Sequence, residues 1–165
     1  MTSSSHFLAA FAVALTSGFA DMVSAHAATG TDHKALVQAG FDRWRAGTGG
    51  PFELLADDAQ WTIVGSSPVA KTYASKEQFL AEVIRPFNAR MDQPLKPTIR
   101  KIYEAGDTVI VIFDAESRCV DGQPYRNTYA WFMQMKDGRA VNVTAFFDNR
   151  LFDEMWTRVA PRYVR

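Results

Sequence analysis

Two carboxylates on one predicted strand are the first residues that could do chemistry. Asp114 and Glu116 alternate at the end of the apolar run Val109-Ile110-Val111-Ile112-Phe113, so they share a strand face. A carboxyl group turned into an apolar hollow has its pKa raised by desolvation and can pass a proton near neutral pH. Asp114 is the candidate acid/base on that reading; the other reading is the solvated end of a strand. A second row follows: Tyr125, Asn127, Tyr129, Trp131 and Met133 fall on one face by period two. That face would set a phenol, an amide and an indole among apolar walls, and buried polar tips need partners that a ligand can supply. Asn127, Tyr129 and Trp131 are therefore candidate ligand-binding residues, with core packing as the competing role for Trp131 and Met133. Trp44, Trp61, Tyr73 and Phe147 are candidate walls of the same pocket. Asp148 either faces that pocket or caps the helix that follows it.

Other chemistries are poorly supplied. His33 is the only histidine after residue 27, and Cys119 is the only cysteine. No internal disulfide and no Cys/His zinc site is expected, and no cofactor is implied. Arg100 and Arg126 could hold an anionic group, though surface arginine is the default. The 18 Lys+Arg balance 18 Asp+Glu without a basic block, so nucleic acid and anionic membrane surfaces are not expected partners.

The elements that must position these residues centre on 120–149. Two extended runs, 124–135 and 139–148, flank Lys136-Asp137-Gly138, and Asp-Gly between strand-like runs predicts a hairpin. Asp121-Gly122 points to another strand before them, 108–119, and Ala105-Gly106-Asp107 to one more, 96–104. Upstream, Leu36, Val37, Phe41 and Trp44 recur at helical spacing behind Thr31-Asp32, and Gly47-Thr48-Gly49-Gly50 stops that helix. Pro51 opens a short second helix, 59–64 reads as a strand, and 69–73 as a short extended piece. Ser75 and Gln78 form a capping box for a third helix, in which Pro86 should produce a kink or an end. A last helix spans about 150–158. The class is α+β, with helices covering one face of a curved antiparallel sheet. Such a cone leaves an apolar mouth suited to a small apolar or amphipathic molecule.

The N-terminus differs. Residues 7–20 are mostly apolar and small, too few for a comfortable membrane span, and Ala25-His26-Ala27 matches a signal-peptidase pattern. Residues 1–27 are expected to be a signal peptide and 28–165 a single domain. That predicts an exported protein, periplasmic or secreted, with no stable membrane insertion after cleavage.

Several segments resemble the nuclear transport factor 2-like superfamily, in its SnoaL-like and ketosteroid isomerase-like branch. They are L-L-A-D-D-A-Q-W-T-I-V-G (54–65), S-K-E-Q-F-L-A-E-V-I-R-P-F (75–87), A-G-D-T-V-I-V (105–111), D-G-Q-P-Y-R-N-T-Y-A-W-F (121–132) and K-D-G-R-A-V-N-V-T-A-F-F-D (136–148). The resemblance implies a cone-shaped α+β barrel with N-terminal helices over the concave face. It also implies a homodimer joined through the sheet. For activity it implies either isomerase- or cyclase-type acid–base chemistry or a non-catalytic ligand-binding or dimerisation module. The isomerases place a base at the end of the first strand, and the epoxide hydrolases and several cyclases an acid on the last. Those places hold Ile63 or Val64 and Ala145 here.

Overall fold

The computed structural model describes residues 32–162; the expected signal peptide lies outside them. Helix α1 (His33–Ala46) starts where the sequence offers a cap: Asp32 Oδ1 accepts the Ala35 N–H at 2.8 Å. This satisfies one of the first-turn donors that have no partner inside the helix. Gly47 closes the helix at φ 72°, a left-handed conformation free of Cβ strain only for glycine. Pro51–Leu54 forms one 3₁₀ turn. Strand β1 (Leu55–Ile63) then starts four residues before the expected position 59. Its register shifts between Leu55 and Gln60, and Asp57 and Asp58 are exposed there. That polar bulge hides the strand's first half from an alternation pattern.

Strand β2 (Thr72–Tyr73) pairs antiparallel with β1. The capping box then works as predicted: Ser75 Oγ accepts the Gln78 N–H at 3.2 Å, and Gln78 Oε1 accepts the Ala74 N–H at 2.8 Å. It opens α2 (Lys76–Phe79), which runs through a π-helical turn (Leu80–Ile84) into α3 (Arg85–Asn88). The Arg85 N–H reaches back to the Leu80 carbonyl, five residues away. Pro86 has no N–H to give to the fourth residue before it, and the wider turn accommodates that loss without breaking the helix.

The sheet has six strands in the order β2-β1-β6-β5-β4-β3, with β3 (Lys96–Ala105), β4 (Thr108–Arg118), β5 (Pro124–Lys136) and β6 (Arg139–Phe147). The last four form the expected antiparallel meander. Strand β1, whose partner was not evident from sequence, lies parallel to β6. Such a pairing needs a long crossover, and everything from β2 to β5 supplies it. At the β5–β6 hairpin Lys136 pairs with Arg139, leaving Asp137 at φ 49° and Gly138 at φ 74°. Positive φ at both positions gives a turn whose twist matches the strands it joins. Register shifts at Arg100 in β3 (between Ile99 and Lys101) and at Val141 in β6 (opposite Gln134/Met135) bend the sheet.

Along β5 the burial alternates strictly: Tyr125, Asn127, Tyr129, Trp131, Met133 and Met135 are buried, and the residues between them are largely exposed. The buried row is the face under the helices. α1 packs on β3 and β4, α2 on β1, and the final helix α4 (Asn149–Arg158) on β5. The cover is thus broader than the N-terminal helices alone.

Candidate functional site

Between the buried sheet face and the helices lies a cavity of about 350 Å³. Its walls are mostly rings. Trp44 stacks on Trp131 (centroids 5.8 Å apart, planes 16°), and Trp61 stacks on Phe79 (4.1 Å, 10°). Trp131 also meets Trp61 edge to face at 4.9 Å. Offset and edge-to-face pairs of this kind add about 0.5–1.5 kcal/mol each beyond area burial. They keep the walls rigid around open space.

Five of the expected pocket residues line this cavity together: Trp44, Trp61, Tyr129, Trp131 and Phe147. Two others do not. Tyr73 is 1% exposed; its hydroxyl donates to the Val69 carbonyl at 2.7 Å and its ring packs on Phe79. Burial, then the nearby Glu82, pushes its pKa up to about 12. Asn127 is fully engaged. Its Oδ1 accepts the backbone N–H groups of Thr128 (2.8 Å) and Asp148 (3.0 Å). Its Nδ2 donates to the Asp148 carbonyl (3.0 Å) and to the Tyr125 hydroxyl (3.2 Å). It joins β5 to the turn before α4 and has nothing left for a ligand.

The structure puts Asp114 elsewhere. Strand β4 alternates, so Val109, Val111 and Phe113 face the helices while Asp114 points to the other side of the sheet. There Arg100 Nε donates to its Oδ2 at 2.6 Å and Thr128 Oγ1 to its Oδ1 at 2.7 Å. The Arg100 hydrogen bond, then that of Thr128, holds its carboxyl below the usual carboxylate range. That is opposite to the raised pKa expected for an acid/base in an apolar hollow. Glu116 is similarly exposed and pairs with Arg126 at 3.3 Å. Asp148 caps α4: its Oδ1 accepts the Leu151 N–H at 3.2 Å. His33 is the first residue of α1.

Of the positions that the resemblance marks for an acid or base, Ile63 or Val64 and Ala145, the cavity is lined by Ile63 and Ala145 and not by Val64. Ile63 and Ala145 sit opposite each other across the parallel β1–β6 pair. Both are apolar, so neither can hold a proton. Glu53 is the one carboxylate among the lining residues; its side chain is 59% exposed at the rim, with Arg43 Nε at 3.6 Å. A Cβ on Gly49 would fall 2.6 Å from Glu53 Oε1 and would push that exposed side chain aside.

Tyr129 brings the cavity's buried hydroxyl. Its ring stacks on Phe113 (4.9 Å, 10°), and its oxygen lies 2.8 Å from the Tyr125 hydroxyl. Burial pushes the Tyr129 pKa well above its ordinary value, and burial pushes Tyr125 up to about 12. Both phenols are therefore neutral at physiological pH and act through hydrogen bonds.

A SnoaL-like domain family model matches residues 33–143. The chain belongs to the SnoaL-like domain family. No curated protein matches it. Its solved structural neighbours include an NTF2-like protein of unknown function from Burkholderia pseudomallei (18% identity, TM-score 0.64, covering 76% of this chain and 97% of that one). A candidate SnoaL-like polyketide cyclase from Jannaschia sp. CCS1 is 14% identical, with TM-score 0.61 and 76% and 92% of the two chains covered. TerC, co-crystallised with polyporic acid, is 17% identical, with TM-score 0.61 and coverage of 76% and 98%. At these identities the likeness establishes the NTF2-like fold of this SnoaL-like chain.

Sequence reading missed much of the cavity wall. Phe79, Val83, Ile84 and Phe87 line it from the α2–α3 stretch, and Phe152 from α4. They recur at helical spacing, as an inward stripe does, but a stripe facing a void reads the same as one facing a packed core. Glu53 gave no signal at all beyond its place in the first turn after Pro51.

Proposed function

We propose that this SnoaL-like domain binds a small, flat, mainly apolar molecule in its aromatic cavity without carboxylate-driven catalysis there. The observation that carries this reading is the Ile63–Ala145 pair, which offers the cavity methyl and methylene groups and no carboxylate to accept a proton. A cavity of about 350 Å³ lies in the size range of small-molecule sites. TerC, crystallised with polyporic acid, is a precedent for a small organic ligand on this fold.

The test pairs binding with turnover. N-phenyl-naphthylamine should bind saturably and quench the tryptophans, three of which line the cavity. Ketosteroid, epoxide and polyketide-like substrates should be recovered unchanged. Turnover of any of them would favour the isomerase- or cyclase-type reading. Glu53→Gln would then show whether the rim carboxylate is responsible.

Two further parts of the proposal concern the molecule's setting. Export rests on the apolar segment 7–20 and Ala25-His26-Ala27; N-terminal sequencing of the mature protein should read from Ala28. Homodimerisation through the outer sheet face rests on Tyr103, Phe132 and Phe146, which are 47%, 38% and 44% exposed there. Phe132 packs edge-on to Phe146 at 5.8 Å. Sedimentation should give a dimer, and Phe132→Glu with Phe146→Glu should give a monomer that still binds the probe.

A further inference from the structure

The hydrogen bonds around Tyr129 have a direction that follows from counting donors and acceptors. Two backbone N–H groups, of Thr128 and Asp148, point at Asn127 Oδ1, so that atom is the amide oxygen and Nδ2 is the donor. Nδ2 gives one hydrogen to the Asp148 carbonyl and the other to the Tyr125 hydroxyl. Tyr125, receiving from Asn127, has one hydrogen of its own, and the only acceptor within reach among the described residues is the Tyr129 hydroxyl at 2.8 Å. If Tyr125 donates there, the Tyr129 hydrogen has no protein acceptor. If the pair is reversed, the orphan hydrogen moves to Tyr125, which is 3% exposed, packs on Phe87 and does not line the cavity. A buried donor without an acceptor is costly. Only the first arrangement puts the spare hydrogen on a residue of the cavity wall, where a bound molecule can take it up.

We infer that the Tyr129 hydroxyl is a directed hydrogen-bond donor to the molecule in the cavity, oriented by the chain Asp148 carbonyl–Asn127–Tyr125. This rests on the binding reading above and narrows it: the ligand is a flat apolar skeleton carrying a carbonyl-type oxygen. Tyr129 touches the ligand; Tyr125 and Asn127 are positioning residues. A hydrogen bond received from Tyr125 also polarises the Tyr129 O–H and strengthens what it donates. The arrangement explains why two polar residues, Asn127 and Tyr125, are buried beneath an otherwise aromatic wall.

Fluorenone and fluorene test it, because they share a flat ring system and differ by an oxygen in place of two hydrogens. Their affinities are measured by displacement of N-phenyl-naphthylamine from wild type, Tyr129→Phe and Tyr125→Phe. Wild type should prefer fluorenone by about 3- to 10-fold, the worth of one net hydrogen bond. In Tyr129→Phe the preference should vanish while fluorene affinity stays within about twofold, which also shows that the variant's cavity is intact. In Tyr125→Phe the preference should shrink but persist. The infrared carbonyl band of bound fluorenone should lie at lower frequency in wild type than in Tyr129→Phe. Equal affinity of the two compounds for wild type, or a preference and a carbonyl shift that survive Tyr129→Phe, overturns the donor assignment and leaves the binding reading standing. Failure of both compounds to bind wild type overturns both.

Discussion

Asp114 and Ala145 show how little separates a reactive position from an inert one on a strand. Asp114 has a chemically capable side chain, but its place in the alternation turns it to the outer face of the sheet, into an ion pair with Arg100. An exposed pair of this kind contributes less than about 1 kcal/mol. Asp114→Asn should lower stability in urea by no more than that, and should leave ligand affinity in the cavity unchanged. The buried phenols make the opposite prediction for alkaline solution. Burial raises the Tyr125 pKa to about 12 in the folded state, above an unfolded value of about 10. The neutral form is the one the fold favours, so this contribution to stability is complete below about pH 10. It is lost as pH rises from there to about 12. Thermal melts between pH 9 and pH 12 should show this decline, and Tyr125→Phe should flatten part of it.

The elements depend on a few local devices. Gly65, just after β1, has φ 124°, and a Cβ there would lie 2.0 Å from Asn149 Nδ2. Asn149 opens α4 and donates to the Val64 carbonyl at 3.3 Å, so the glycine lets β1 and α4 touch. Gly65→Ala should cost about 1–3 kcal/mol, from backbone strain plus displacement of that side chain, measured as a lower urea midpoint at unchanged slope. The helices and the four-strand meander were legible in sequence because each carries a local signal. Asp32, Ser75 and Asp148 cap helices, Asp137-Gly138 turns a hairpin, and β5 alternates along its whole length. The parallel β1–β6 pairing was not legible, since its partners lie some eighty residues apart and no local pattern records that contact. The first half of β1 was hidden by the exposed Asp57-Asp58 bulge. At the site, the aromatic wall could be read from residue type and period. The side of the sheet that Asp114 faces could not, because the strand's first half is apolar on both faces.

For the molecule as a whole, the bent sheet and its helical cover keep the wall residues apart. Trp44, Trp61 and Trp131 pack against one another along the wall and do not fill the space between sheet and helices. Polar groups are few among the lining residues: the hydroxyl of Tyr129, the amide of Asn88, the indole N–H groups, of which that of Trp61 is buried without a hydrogen-bond partner, and Glu53 at the rim. The account therefore stands on whether that space takes a ligand. Ala145, 1% exposed on the cavity wall opposite Ile63, is the position from which it can be filled with least change elsewhere. The deciding measurement is a titration of N-phenyl-naphthylamine into wild type and Ala145→Phe, each first shown by circular dichroism to be folded. Saturable binding to wild type, weakened at least about tenfold when phenylalanine occupies the space, is the predicted result. Equal affinity in the two proteins would contradict it, because the ligand would then lie outside the cavity.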